Sequence, residues 1–111
     1  MQDCIFCRIA AHEAPARIVL EDDEVVAFDD LSHRAPLHVL VIPRRHVASL
    51  DEAGPELAGR VAVAAATVAR DAGYAERGYR VVTNVGPDAG QTVPHLHLHV
   101  LAGRRLGWPP G

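Results

Sequence analysis

The chain is short of the residues that would point away from small-molecule chemistry. Its net charge is −3, so it has no basic surplus to serve as a footprint for nucleic acid. No apolar run approaches the roughly 20 residues of a membrane span. The opening Met1-Gln2-Asp3-Cys4 lacks the basic and apolar regions of a secretory signal, so a cytoplasmic protein without membrane or nucleic-acid partners is expected. There is no repeat, no low-complexity tract and no charge block, and nothing marks a domain boundary. With 111 residues, the chain reads as a single domain over 1–111, with 102–111 as a C-terminal tail. Only two cysteines occur, spaced as Cys4-Ile5-Phe6-Cys7. In a reducing compartment they are expected to be metal ligands or a redox pair rather than a disulfide.

Histidine, by contrast, is concentrated. Three of the seven stand at i, i+2 and i+4 in His95-Leu96-His97-Leu98-His99. On a strand the three share one face with neighbouring imidazoles about 7 Å apart, while Leu96 and Leu98 point the other way. A half-buried strand with a polar face could use Thr, Lys or Glu as well. Imidazole is favoured where a base, a nucleophile or a metal ligand is needed near neutral pH.

The surrounding pattern is α+β. An amphipathic opening around Ile5, Phe6 and Ile9 precedes two short apolar runs, Arg17 to Leu20 and Val25 to Phe28. These flank Glu21-Asp22-Asp23-Glu24 as a hairpin would. The run His38-Val39-Leu40-Val41-Ile42, stopped by Pro43, reads as a central strand. From Pro55, Leu57, Val61, Ala65, Val68 and Ala72 recur at helical spacing until Gly73. Two further strands are expected at about Tyr79 to Asn84 and His95 to Leu101. Strands before and after one long helix imply an antiparallel sheet. The intervening loop, Asn84 to Pro94, brings Asn84, Gln91 and Thr92 beside the histidines as donors to phosphoryl oxygens. In it Gly86 and Gly90 permit positive φ and close approach to a ligand.

The segment Gly90-Gln91-Thr92-Val93-Pro94-His95-Leu96-His97-Leu98-His99-Val100 resembles the signature of the histidine triad (HIT) family of nucleotide hydrolases and transferases. Phe28-Asp29-Asp30-Leu31, Leu40 to His46 and the terminal Trp108-Pro109-Pro110-Gly111 extend the resemblance, the last toward the Hint-like branch. The resemblance implies a five-stranded antiparallel sheet with one long helix and a short N-terminal helix, the sheets of two copies joining across a homodimer. It makes His97 the nucleophile, with Asn84, Gly90, Gln91, Thr92 and His99 around the phosphate and Asp30 on the ribose. Ile5, Phe6, Ile9, Phe28 and Leu31 would line the base pocket, although such residues equally serve as core. Asp30 could instead cap a turn, and Asp29 is given no role. Thr92 stands where the branch often has serine, and Pro94 where it often has an aromatic residue.

The substrates implied are purine nucleoside 5′-phosphoramidates, cleaved at the P–N bond to a nucleoside monophosphate and an amine. A neutral imidazole at His97 can attack phosphorus without the repulsion an anionic nucleophile would meet, provided its other nitrogen is held by a carbonyl, most simply a backbone oxygen in the same strand. Gln91, Thr92 and a protonated His99 would stabilise the developing charge, with His38 helping to hold the array. A nucleotide-sensing or scaffold protein with incidental hydrolysis, or a dinucleoside polyphosphate hydrolase, are the competing readings. Cys4 and Cys7 need two more ligands to close a tetrahedral site, and His46 and His95 are the candidates for a structural zinc. Two thiols packed as small hydrophobes would be the plain alternative, and no catalytic metal is expected. Trp108, in a tail that docks or dangles, would shape the leaving-group side, each tail reaching toward the partner's active site.

Overall fold

The computed structural model describes residues 3–111. The elements run α1 (Ile5–Ala10), β1 (Ile18–Glu21), β2 (Val25–Asp29), β3 (Leu37–Pro43), a 3-10 turn (Leu50–Glu52), α2 (Gly54–Asp71), β4 (Arg80–Val82) and β5 (Leu98–Ala102). The five strands form one antiparallel sheet in the order β1-β2-β3-β5-β4, so β3 is central, as its continuous apolar run requires. Asp22 closes the β1–β2 hairpin by accepting the N–H groups of Glu24 and Val25 at 2.8 and 2.9 Å. Those bonds favour its carboxylate and lower its pKa.

Alternation along the strands sorts the side chains between two layers. Val25, Ala27, Val39, Val41, Leu98 and Val100 pack against α2 through Val61, Ala64, Ala65, Val68 and Ala69. The alanines bring the helix close to the sheet. On the opposite face Val26, Phe28, Leu40 and Ile42 pack under Phe6, Ile9 and Ala10 of α1. Short α1 covers only part of that face. The remainder, toward β5 and β4, carries His38, His99, Leu101, Arg80 and Val82, whose register pairs are His38↔Leu101, Leu40↔His99, Arg80↔Leu101 and Val82↔His99. Burying each Val, Leu or Ile contributes about 1.5–3 kcal/mol, so the pattern that stabilises the sheet also fixes which side chains face the site.

Boundaries differ from the sequence expectation, those of β5, β4 and the long helix among them. β5 starts at Leu98, not His95, because the preceding backbone is bonded elsewhere: the His95 N–H to Val93 O at 2.9 Å and the Leu96 N–H to Val47 O at 2.7 Å. β4 is confined to Arg80–Val82, and Thr83 uses its hydroxyl to hold His97 O at 2.9 Å. The long helix ends at Asp71, leaving Ala72 exposed; Gly73, at φ +91°, closes it. After β5, Gly103 lies against Pro36, where an added Cβ would stand 2.7 Å from the proline Cβ.

Candidate active site

The histidine run divides into three environments. His95 is fully buried, and its Nε2–H donates to Pro43 O at 2.9 Å, which leaves the Nδ1 lone pair directed at the two thiols. Nδ1 lies 3.3 Å from Cys4 Sγ and 3.5 Å from Cys7 Sγ, and His46 Nδ1 lies 3.2 Å from Cys7 Sγ. The C-x-x-C spacing places both sulfurs on one side of the first turn of α1, where Cys4 also accepts the Cys7 N–H as N-cap. All four ligand atoms fall within 4.8 Å of one another. Bond lengths of about 2.3 Å to sulfur and about 2.0–2.1 Å to nitrogen put N and S about 3.6 Å apart around a tetrahedral ion, close to the separations here. Cys4, Cys7, His46 and His95 could therefore hold a metal ion. Burial and the neighbouring Cys4 thiol raise the pKa of Cys7.

His97 keeps only 7% of its surface exposed. Its Nδ1–H donates to the His95 carbonyl at 2.7 Å, so the lone pair resides on Nε2. The expected backbone anchor is present, within a turn before the strand rather than in the strand. The Phe6 ring lies in T-shaped contact with both His95 and His97, at centroid separations of 5.9 and 5.1 Å. His97 and His99 lie 5.2 Å apart between ring centroids, nearer than strand spacing predicts, because His97 precedes β5.

His99 belongs to a chain of directed hydrogen bonds. The Arg34 backbone N–H donates to His38 Nδ1 at 2.9 Å, so the His38 proton must sit on Nε2. That Nε2–H faces His99 Nδ1 at 2.9 Å and Asp30 Oδ2 at 3.3 Å. His99 Nδ1 therefore accepts, and its own proton is on Nε2. A second proton on Nδ1 would confront the His38 donor. Burial, followed by the nearby His97 and His38, lowers the His99 pKa, and burial does the same for His38 against the opposing pull of Asp30. The protonated His99 expected from sequence is thus corrected to a neutral imidazole that still donates through Nε2–H.

His38, His99, Asp30, Asn84 and Thr92 line a cavity of about 680 Å³. Asp30 accepts the Ser32 N–H at 2.8 Å through Oδ1 while Oδ2 faces His38, so the turn-capping role is real and lone pairs remain for a ligand hydroxyl. Asp29 is ion-paired with Arg17 at 3.2 Å. Gly90 takes a positive φ of 86° at the loop turn. Gln91 departs from expectation: its amide donates to Ala48 O at 2.7 Å and Val93 O at 3.2 Å, and its oxygen accepts from the Gly86 N–H at 3.1 Å. With its donors committed to backbone carbonyls, Gln91 braces the loop rather than presenting an amide to the cavity.

Of the five apolar residues expected around a base, Phe6, Ile9 and Phe28 pack as core, with the two phenylalanine rings 5.5 Å apart. Ile5 instead lines a second cavity of about 590 Å³ with Cys4, His46, Thr92 and Val93. Leu31 is 95% exposed beside Asp30. The tail folds over this chain's own cavity, which Leu106, Gly107, Pro109 and Pro110 help to line; Arg104 pins it by donating to Arg34 O at 2.8 and 3.1 Å. Trp108 faces outward, 82% exposed, with the Arg80 guanidinium 6.0 Å from its ring.

Sequence reading missed Thr83, the Arg34 N–H and the Pro43 carbonyl, which fix His97, His38 and His99, and His95 respectively. Two of the three are backbone groups and carry no residue signature. Arg80 was missed as well, although its place two residues before Val82 on the face of His99 follows from alternation once β4 is drawn.

Comparison with known proteins agrees with this geometry. The family model described as "HIT domain" matches residues 11–106. An uncharacterised HIT-like protein of Synechococcus elongatus is 49% identical over 99% of this chain and 98% of that protein. The protein named adenylylsulfatase HINT1 of Arabidopsis thaliana is 39% identical, covering 96% of this chain and 76% of its own length. Among solved structures, a HIT family hydrolase from Legionella pneumophila superposes with a TM-score of 0.94 at 43% identity, over 98% of this chain and 100% of that one. The chain belongs to the HIT domain family.

Proposed function

We propose that the protein hydrolyses purine nucleoside 5′-phosphoramidates through a covalent nucleotidyl-histidine intermediate. The observation that carries this reading is the tautomer of His97, whose Nδ1–H is held by the His95 carbonyl so that Nε2 presents a lone pair. In the first step His97 Nε2 forms a bond to the α-phosphorus as the P–N bond breaks, and the departing nitrogen takes a proton from solvent, which the attacking water of the second step gives back, and leaves as the amine. In the second step water supplies the oxygen that displaces His97, returning the imidazole and releasing the nucleoside monophosphate. The His99 Nε2–H and the Thr92 hydroxyl support the phosphoryl oxygens and the leaving group from the cavity wall, with Asn84 beside them. Asp30 would receive the ribose hydroxyls. Exposed Leu31, beside Asp30, offers the base an apolar side chain with no hydrogen-bond reader, so purines should be poorly distinguished.

Zinc is the ion that suits two thiolates and two imidazoles at these separations. Held by Cys4, Cys7, His46 and His95, it would tie α1 to the sheet as a closed structural centre. A homodimer is the expected assembly: β4 is a three-residue edge strand, and Val81 beside Tyr79, with Val63 on α2, leaves apolar surface for a second copy to cover.

The test is a side-by-side assay of an adenosine 5′-phosphoramidate and a diadenosine polyphosphate. Faster hydrolysis of the phosphoramidate supports the reading, and preference for the polyphosphate replaces it with dinucleotide hydrolysis. Tight nucleotide binding with negligible turnover of both would make the protein a nucleotide sensor.

A further inference from the structure

The cavity holds more positive charge than the proposed phosphoryl chemistry uses. Arg34, Arg80 and Arg104 line it, and Asp30 is its only carboxylate. Arg104 is already committed, its guanidinium donating to the carbonyls of Arg34 and Arg105. Arg34 is exposed at the rim, where water screens it. Arg80 differs from both. It is half-buried, and among the described residues it has neither a carboxylate partner nor a hydrogen bond, only the Trp108 ring 6.0 Å from its guanidinium. Partial burial of a cation without an anionic partner is costly, and a ring face offsets only part of that cost.

Its position says which part of a substrate it would meet. Arg80 pairs with Leu101 and Val82 pairs with His99, so Arg80 stands one side-chain row, about 7 Å along the strand, beyond His99 and toward the tail. The ribose anchor, Asp30, approaches from the β2–β3 turn instead. The phosphoryl group is served by neutral donors at His99 and Thr92. Arg80 is thus left facing whatever is attached to phosphorus on the tail side.

On the basis of the function proposed above, we infer that Arg80 is a specificity-determining residue that selects leaving groups bearing an anion, such as the carboxylate of an amino acid joined to phosphorus through its nitrogen. A guanidinium offers a planar fork matched to a carboxylate, and Trp108 limits the directions in which that fork can turn. The selection acts on binding and on the first step, in which the P–N bond breaks, and leaves the second step, in which water displaces His97, unchanged.

The experiment compares the adenosine 5′-phosphoramidates of glycine and glycinamide, which differ only in carboxylate against amide. The intact protein should favour the glycine compound in kcat/KM by about tenfold or more, the worth of one charge-assisted hydrogen bond. Arg80→Gln should bring the ratio near one by slowing the glycine compound alone, and Arg80→Lys should restore part of it. Raising salt from about 0.05 to about 0.5 M should erode the preference, because the Debye length shrinks across that range. A ratio near one in the intact protein, or one that persists in Arg80→Gln, overturns the inference while leaving the phosphoramidase reading intact. Should neither compound turn over, that reading falls, and calorimetric affinities then decide: tighter binding of the glycine compound, lost in Arg80→Gln, supports the role of Arg80, and equal affinities overturn it.

Discussion

His95 and His99 are the same residue type, four positions apart, yet they serve opposite kinds of site. His95 is enclosed, its Nε2–H held by Pro43 O and its lone pair aimed at two thiols. His99 lines a cavity, its Nδ1 filled by His38 and its N–H left for a ligand. The difference does not lie in the histidines. It lies in which nitrogen the neighbouring groups occupy first, since an imidazole with one nitrogen committed has only one role left at the other. His97, between them, has its Nδ1 proton held by a carbonyl and its lone pair free, with the Phe6 ring in T-shaped contact.

The contrast predicts that the two ends can be damaged independently. The largest effect is expected from His97→Ala, which should lower turnover at least about 10⁴-fold while nucleotide affinity stays within a few fold and metal content is unchanged. Steady-state kinetics with metal analysis checks this, and full activity would refute the nucleophile. Cys7→Ala should do the reverse, abolishing stoichiometric metal and lowering the melting midpoint by about 10 °C or more, with kcat of the folded fraction within about tenfold. Protein purified without added zinc should carry one equivalent; well under one would remove the metal from the comparison.

A smaller effect should follow from His38→Leu. Without the His38 proton, His99 can protonate at either nitrogen, and its donor is no longer fixed. A fall in kcat of about 10²-fold is expected, the cost of one misplaced donor, with a pH profile shifted toward that of an ordinary imidazole. The mildest test is pH itself. His38 and His99 are both held below the usual 6.5, chiefly by burial, so they stay neutral in the folded protein where the unfolded chain takes up protons. Their contribution to stability is therefore full above pH 6.5 and is lost as pH falls from there through the folded values. Melting midpoints should decline between pH 7 and pH 5, and His38→Leu should flatten part of that decline.

Much of this arrangement can be read from the chain because it rests on side-chain alternation. The meeting of Cys4, Cys7, His46 and His95 is anticipated from the family resemblance, whereas the central position of β3 and the long helix behind the sheet follow from residue type and spacing. The start of β5 does not. Whether the segment from His95 to His97 belongs to a strand depends on where its backbone finds partners, and two of them, Val47 for the Leu96 N–H and Thr83 for the His97 carbonyl, are distant in sequence. Gln91 shows the same limit, since its amide is drawn to Ala48 O, 43 positions away. The charge state of His99 was beyond reach for a related reason: it is decided by the backbone N–H of Arg34 acting through His38.

The strict pairing of β5 with β3 and β4 also bears on how such a chain can change over generations. Leu98 and Val100 face the helix while His99 and Leu101 face the cavity, so inserting or deleting one residue here would bury an imidazole in the core and expose a valine in the site. Both failures would come from a single event. Descent through this segment is therefore open to replacement of side chains and closed to changes of length, and new substrates must be sought by varying the rim, at positions such as Arg80 and the tail, around a strand whose length does not vary.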